Sequence, residues 1–376
     1  MIARVTQSPK KVLVVATQRI GDVLLTTPLI RSLHRAWPAA HIDVLVFANT
    51  EGILSGNPDI HRILTVPRQR GFWSNLEFFI QLFRKYDVAV TTQTGDRPVL
   101  YTWLAGKQRA GLYAQRKKEP LKMRMLTRSA PLDGVNTHTV LMNLAIADLL
   151  GVPRCPEVVV SWTTEEEASL DTQLPFDSRA QPFALLHVYP KFPYKMWTRE
   201  GWRELAHWLH AQGLRIVLSG SSDIEELNYV QTLSADLPAD TVNVAGKWNL
   251  GQIACLTSRA SLYVGPDTAL THVAAALGTP TVALYGPSSP VKWGPWPAHY
   301  RGQTNPYSMR GSQRVGNVLL LQGPGQCVPC LEEGCDRHTR SLSDCLQKLQ
   351  ASTVIDAAKR MLATADPAET DRPGID

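Results

Sequence analysis

The sequence predicts an α/β protein made of two doubly wound, Rossmann-like halves. Three observations carry that expectation. Short, wholly apolar runs alternate with helical stretches, the alternation restarts after a polar, turn-rich segment, and each half has a glycine-bearing loop just past an apolar run. An uninterrupted apolar run of four to eight residues suits a strand covered on both faces, and parallel strands of that kind need helical crossovers. At 376 residues the chain is too long for one ordinary core, so two domains are expected.

Residues 10–16 (KKVLVVA) open the first series as a central strand, followed by the loop TQRIGD at 17–22. Open α/β sheets place ligands beyond the carboxyl ends of their strands, which makes this loop a candidate site. Pro28 fits the first turn of a helix capped by Thr27 and running to about Trp37. Strands follow at 42–47, 62–66 and 88–92, with a helix around 76–84 and another at 138–150, stopped by Gly151 and Pro153. The first domain is therefore drawn at 11–162, and the turn-rich residues 163–182 are expected to be a linker.

The second domain, drawn at 183–350, begins with a strand at 183–187. A helix at 198–212 carries Trp202, Leu205, Ala206 and Leu209 on one face, and strands follow at 215–219 and 241–244. Residues 261–287 (SLYVGPDTALTHVAAALGTPTVALYGP) then form a compact strand–turn–helix–strand unit. Asp267 is placed to cap its helix, Gly278 to end it and Pro280 to forbid continuation. The backbone N–H groups of Thr268, Ala269 and Leu270 lack intrahelical partners at the positive end of the helix dipole, a geometry that binds phosphate. The alternative is that Asp267 merely caps its own helix. Residues 364–376 are charged and read as a frayed tail.

The net charge of +6 permits an anionic partner without specifying one. Much of the excess falls in 107–128, where Lys107, Arg109, Arg116, Lys117, Lys118, Lys122, Arg124 and Arg128 face a single acid, Glu119. Such a run is ordinarily a solvated surface, but Arg68, Arg70 and Arg97 in the same domain add to it, and an anionic acceptor would be drawn there. No G-x-G-x-x-G follows either first strand, which disfavours a dinucleotide oxidoreductase. No apolar segment is long enough for a membrane span or a signal-peptide core, and a cytosolic location is expected. Six cysteines are too few for a disulfide scaffold. Four of them, Cys327, Cys330, Cys335 and Cys345, could hold zinc or iron, but the irregular third and fourth spacings favour a knuckle of reduced thiols.

Five motifs occur in order: RIGDVLLTTPL at 19–29, KMW at 195–197, GK at 246–247, VGPDTALTHVAAALGTPTVALYGP at 264–287 and WGPW at 293–296. Together they resemble glycosyltransferase family 9, the ADP-heptose:lipopolysaccharide heptosyltransferases, over residues 11 to about 362. The resemblance implies a GT-B fold, with the acceptor on the first domain, a nucleotide sugar on the second, and a last helix (351–363) returning to the first domain. It implies inverting, metal-independent transfer of heptose from ADP-L-glycero-D-manno-heptose to the anionic inner core of lipopolysaccharide, with peripheral contact at the inner membrane face and no nucleic acid partner.

In that frame Asp22, the only carboxylate of the first glycine loop, falls on the catalytic base, against the alternative that it organises its loop. Lys195, on a loop stiffened by Pro190 and Pro193, would neutralise the departing diphosphate together with the Thr268–Leu270 amides, against the alternative of a surface lysine. Asp267 and His272 fall near the sugar or nucleotide, although a lone helical histidine is as often a packing residue. Asp223 is placed for the ribose or adenine, or as a helix cap, and Lys247 and Trp248 would flank the adenine. Arg19, Arg68, Arg70, Arg97, Arg116, Lys117 and Lys118 would bind the acceptor. Ala269 stands where the family usually has glycine, a methyl that could crowd the diphosphate. Competing readings are a protein (autotransporter-type) heptosyltransferase, a nucleotide-sugar epimerase or hydrolase, and a non-catalytic nucleotide-sugar-binding protein.

Overall fold

The computed structural model describes residues 8–67, 72–114 and 120–363. In the first domain β1 (Lys11–Val15), β2 (His41–Phe47), β3 (Arg62–Val66), β4 (Tyr86–Thr91), β5 (Gly106–Ala114) and β6 (Arg128–Leu132) form one sheet in the order β3-β2-β1-β4-β5-β6. All its pairings are parallel. β1 lies where the strand order reverses, so the loop after it opens at the sheet's switch point, the place where ligands enter such folds.

The second domain repeats the plan. β7 (Phe183–His187), β8 (Arg215–Ser219), β9 (Val242–Asn243), β10 (Leu262–Pro266), β11 (Thr281–Tyr285), β12 (Gln313–Val315) and β13 (Val318–Gln322) are ordered β12-β13-β11-β10-β7-β8-β9. Only the β12–β13 pair is antiparallel. Here the switch lies between β7 and β10, so the loops after these two strands meet at one point. That adjacency brings Lys195 to Asp267.

Three expectations are corrected. The segment 163–182 is not an extended linker, because Thr164–Gln173 is a helix. It is started by a capping box in which the Thr163 hydroxyl accepts from the Glu166 N–H and the Glu166 carboxylate accepts from the Thr163 N–H. Leu170, Leu174 and Phe176 pack beside Ile253 and Leu256, while Arg259 ion-pairs with Glu167 (2.7 Å) and Asp171 (2.5 Å). The helix thus belongs to the second domain.

The helix Ala351–Ala363 does not return to the first domain. Its stripe Val354, Ala357, Ala358 and Met361 shares a buried cluster with Trp202, Leu205 and Leu209, and that cluster includes no residue before Ala184. The complementary apolar stripe of the helix Arg199–Ala211 supplies the reason. Asp267, finally, does not cap the next helix. β10 runs through Pro266, the cap position falls on Thr268, and the helix is Ala269–Leu277.

The domains are joined by more than the chain crossing. Trp296, Val273 and Ala254 are buried in the same apolar cluster as Val23, Leu24 and Leu144 of the first domain. The loop after β11 is bonded to the first domain at several points: His138 Nε2 to the Gly294 carbonyl (2.7 Å), Thr139 Oγ1 to the Lys292 carbonyl (3.0 Å), and the Asn305 side chain to the Asn136 carbonyl (2.6 Å) and the His138 N–H (2.8 Å). Burial pushes the His138 imidazole down to about 3. It is therefore neutral, with Nδ1 accepting from the Val140 N–H (3.1 Å) and Nε2 donating.

Candidate active site

Asp22 sits in the first turn of a short helix, Ile20–Leu24, that starts directly from the β1 loop. It is half-buried. Burial raises its pKa above the ordinary carboxylate value, and the neighbouring Asp267 carboxylate adds to that, while Arg19 and, from the second domain, Lys292 oppose it. A carboxylate that is partly desolvated but still ionisable suits a general base. Across from it stands the helix Ala269–Leu277. A methyl group built on Gly21 would lie 3.6 Å from the His272 ring and 3.7 Å from the Ala269 Cα, so the two loops are in near contact. The Ala269 methyl faces that glycine.

On the second-domain wall the Lys195 ammonium donates to Asp267 Oδ2 at 2.5 Å and lies 3.3 Å from the Asp267 carbonyl. Asp267 is only 8% exposed. Burial works against its charge, but Lys195, His272 and Ser288 outweigh it and hold the carboxyl below the usual range. The Tyr285 hydroxyl donates to the Trp293 carbonyl (2.5 Å) and lies 3.3 Å from Asp267 Oδ1. His272 is 5% exposed, with Nε2 3.8 Å from Asp267 Oδ1 and Nδ1 without a partner. Burial drives its pKa down to about 4, so it is a neutral ring at physiological pH. Thr268, Ala269 and Leu270 are half-exposed at the helix start.

Arg19 closes the opening from the first domain: its guanidinium lies 4.8 Å over the Phe192 ring, which stacks on Tyr194 at 5.4 Å. Asp22, Arg19, Lys195, Asp267, His272 and the start of the helix Ala269–Leu277 are thereby brought together.

Other predicted residues lie elsewhere or do other work. Asp223 caps the helix Ile224–Ser234 by accepting from the Glu225 N–H (2.9 Å) and the Glu226 N–H (3.4 Å). Trp248 Nε1 donates to Gln173 (2.9 Å), and its ring packs beside the cluster around Leu170. Lys247 is exposed beside it. Arg97 is exposed on the helix Asp96–Ala105. Arg68, Arg70, Arg116, Lys117 and Lys118 lie outside the described residues. What is described of the basic run is partly structural: Lys107 pairs with Asp87 (3.0 Å), Lys122 with Asp96 (2.7 Å), and Arg128 donates to the Leu149 carbonyl (2.8 Å). Cys327 and Cys335 are exposed, and burial pushes the Cys345 thiol up to about 11. Among the described residues no group of three or more ligating side chains is arranged to hold a metal ion.

Two residues escape the sequence reading. Glu226 is buried past the end of β8, where the Ser221 hydroxyl donates to one carboxylate oxygen and the other has no partner. A methyl on Gly220 would fall 2.9 Å from that free oxygen, so the glycine is what lets the carboxylate approach the strand end. Doubly wound folds often place an acid beyond this strand beside a ribose, and Glu226, unlike the helix-capping Asp223, keeps one oxygen unpartnered. The second is Lys292, on the loop after β11. The S-G-S-S-D-I-E-E pattern at 219–226 offered three acids, and only packing distinguishes them.

A half-buried carboxylate on one domain, facing a cation and a helix start on the other across two switch-point loops, is the arrangement of a group-transfer enzyme of the GT-B type. The glycosyltransferase family 9 (heptosyltransferase) profile matches residues 76–319, and the chain belongs to that family. Lipopolysaccharide heptosyltransferase 3 of Escherichia coli is 28% identical over 285 residues, which are 73% of this chain and 83% of that protein. Among solved structures, a glycosyltransferase family 9 protein of Veillonella parvula superposes with a TM-score of 0.76 at 21% identity, covering 94% of this chain and 98% of its own. An E. coli heptosyltransferase, WaaC, solved with ADP superposes with a TM-score of 0.71 at 23% identity, covering 93% and 99%. The expected GT-B architecture and glycosyltransferase class are borne out.

Proposed function

We propose that this enzyme transfers heptose from ADP-heptose to the inner core of lipopolysaccharide by a single, inverting displacement that needs no metal ion. The observation that carries the reading is Asp22 facing the Lys195–Asp267 pair and the free helix start across the cleft. The names of the relatives, and the ADP in one solved structure, support the choice of sugar and nucleotide.

In the step itself an acceptor hydroxyl oxygen attacks the anomeric carbon while its proton passes to Asp22. The bond from that carbon to the diphosphate oxygen breaks, and ADP departs with the electron pair. Base and leaving-group site on opposite walls favour attack from the face opposite the diphosphate, and therefore inversion. Lys195 and the amides of Ala269 and Leu270 neutralise the departing charge, the task a divalent cation performs elsewhere. Glu226 holds a ribose hydroxyl. The acceptor's phosphates and acidic sugars meet Arg19 and the basic stretch of the first domain, and the enzyme works at the cytoplasmic face of the membrane. Among the described residues no helix is long and apolar enough to cross that membrane.

The test is mass spectrometry of products after incubation with several nucleotide sugars and truncated lipid cores. One added heptose on a core acceptor is expected with the wild type, and nearly none with Asp22→Asn, which should still bind ADP. A positioned base contributes about 10²- to 10⁴-fold, so retention of more than about a tenth of kcat would remove Asp22 from that role. Transfer to a polypeptide instead, or release of free sugar, would overturn the acceptor assignment.

A further inference from the structure

Lys292 differs from the other cations of the cleft. Lys195 is committed to Asp267, and Arg19 lies over Phe192. Lys292 stands on the one-turn helix Pro290–Trp293, where its N–H donates to the Ser289 hydroxyl (3.2 Å). Its backbone is held against the first domain through Thr139, and the two following carbonyls are bonded to Tyr285 and His138. The side chain is half-buried. The ammonium lies 4.8 Å from the Trp293 ring centre and 3.7 Å from where a methyl on Gly134 would be, so it reaches the first domain's 133–137 turn.

Among the described residues no carboxylate lies within ion-pair distance of this ammonium; Asp22 and Lys292 feel each other's charge without touching. A cation fixed at its base, partly desolvated and lacking a counter-ion is costly unless a ligand supplies the charge. The side chain spans from the second domain to the first on the side of the cleft where Asp22 must meet a hydroxyl.

We propose that Lys292 binds an oxyanion of the acceptor, a phosphate monoester or a sugar carboxylate close to the attacking hydroxyl. Part of the acceptor's charge recognition then comes from the domain that holds the donor. This rests on the transferase reading above. It differs from that reading in assigning acceptor specificity to the second domain.

The experiment uses full-length Lys292→Met, which keeps the apolar stem over Trp293, and Lys292→Arg, assayed at pH 7.5 with purified core oligosaccharide. Lys292→Met should raise the acceptor KM about 10- to 100-fold, the loss of one charge-assisted hydrogen bond. It should leave kcat and ADP affinity within twofold, and Lys292→Arg should restore most of the KM. The same acceptor is then tested after phosphatase treatment and, separately, after reduction of its carboxyl groups. A penalty that disappears on the dephosphorylated acceptor identifies a phosphate; one that disappears on the reduced acceptor identifies a carboxylate. A penalty unchanged on both, an unchanged KM, or a loss of kcat or ADP binding instead overturns the proposal. Calorimetric binding of the oligosaccharide without donor separates the two levels. Wild type that binds it without turnover sinks the transferase reading and still reads the Lys292 effect. Wild type that does not bind it sinks both.

Discussion

Replacing Lys195 by methionine tests the donor side of the cleft through two independent quantities. The first is catalytic. If the ammonium meets the leaving diphosphate, its loss removes one preorganised cationic donor, worth about 3 to 4 kcal/mol or 10²- to 10³-fold in kcat. The second is stability. Asp267 is 8% exposed and Lys195 19%, at 2.5 Å. Removing one partner of a buried pair costs about 3 to 5 kcal/mol, and the residual exposure of the lysine argues for about 3. For a domain of roughly 200 residues melting as a unit that is about 7 °C.

The pH dependence has a definite sign. Asp267 is held below its ordinary value, so its contribution in the wild type is present above the unfolded carboxylate pKa and lost as pH falls through the folded one. Without Lys195, burial pushes the same group upward, and its penalty lapses once it protonates. The difference in melting temperature should therefore be largest near neutrality and shrink toward pH 4. Calorimetry across pH, with single-turnover kinetics on ADP-heptose, measures both. A melting shift below about 1 °C with a rate loss under tenfold would refute the assignment of this pair.

Two further outcomes follow from geometry already given. Because burial raises Asp22, the acid limb of the kcat/KM profile should lie above the ordinary carboxylate pKa of about 3.9, and it should move further up in Lys292→Met, which removes a charge that lowers it; a limb that stays in place in the variant would show that the two groups are not coupled. Val354 is fully buried against the second domain, so Val354→Asp should cost more than about 3 kcal/mol in urea unfolding, whereas Ser352→Asp on the exposed face should stay within about 0.5 kcal/mol; equal effects would mean the last helix is not docked where described.

The strands legible in the sequence were those sheathed by helices on both faces. β1, β7, β8 and β10 stand at or within two residues of their expected places because nothing polar interrupts their interiors. β5 and β6 were hidden because Lys107, Gln108, Arg109 and Arg128 open them with polar residues, and the charge drew attention away from the period. The helix Thr164–Gln173 buries only Leu170, so its apolar face was silent, although its T-x-x-E start was readable. Within the site, Asp22 and the 195/267 region were accessible because each sits in a local motif at a switch point. Glu226 and Lys292 were not, since their significance depends on packing between segments far apart in sequence. The shift of the cap from Asp267 to Thr268 has the same origin: a distant lysine, which local spacing cannot reveal, claims the carboxylate.

The bonds from His138, Thr139 and Asn136 to the loop at 292–305 also have a mechanical consequence. With its carbonyls gripped by an uncharged imidazole and a threonine of the opposite lobe, that loop travels with the first domain. Any rocking of the two lobes that spares these bonds has its axis beside them, so separation grows with distance from that loop. Such a molecule would exchange spent nucleotide at its far lip while the distance between Asp22 and Lys292 hardly changes.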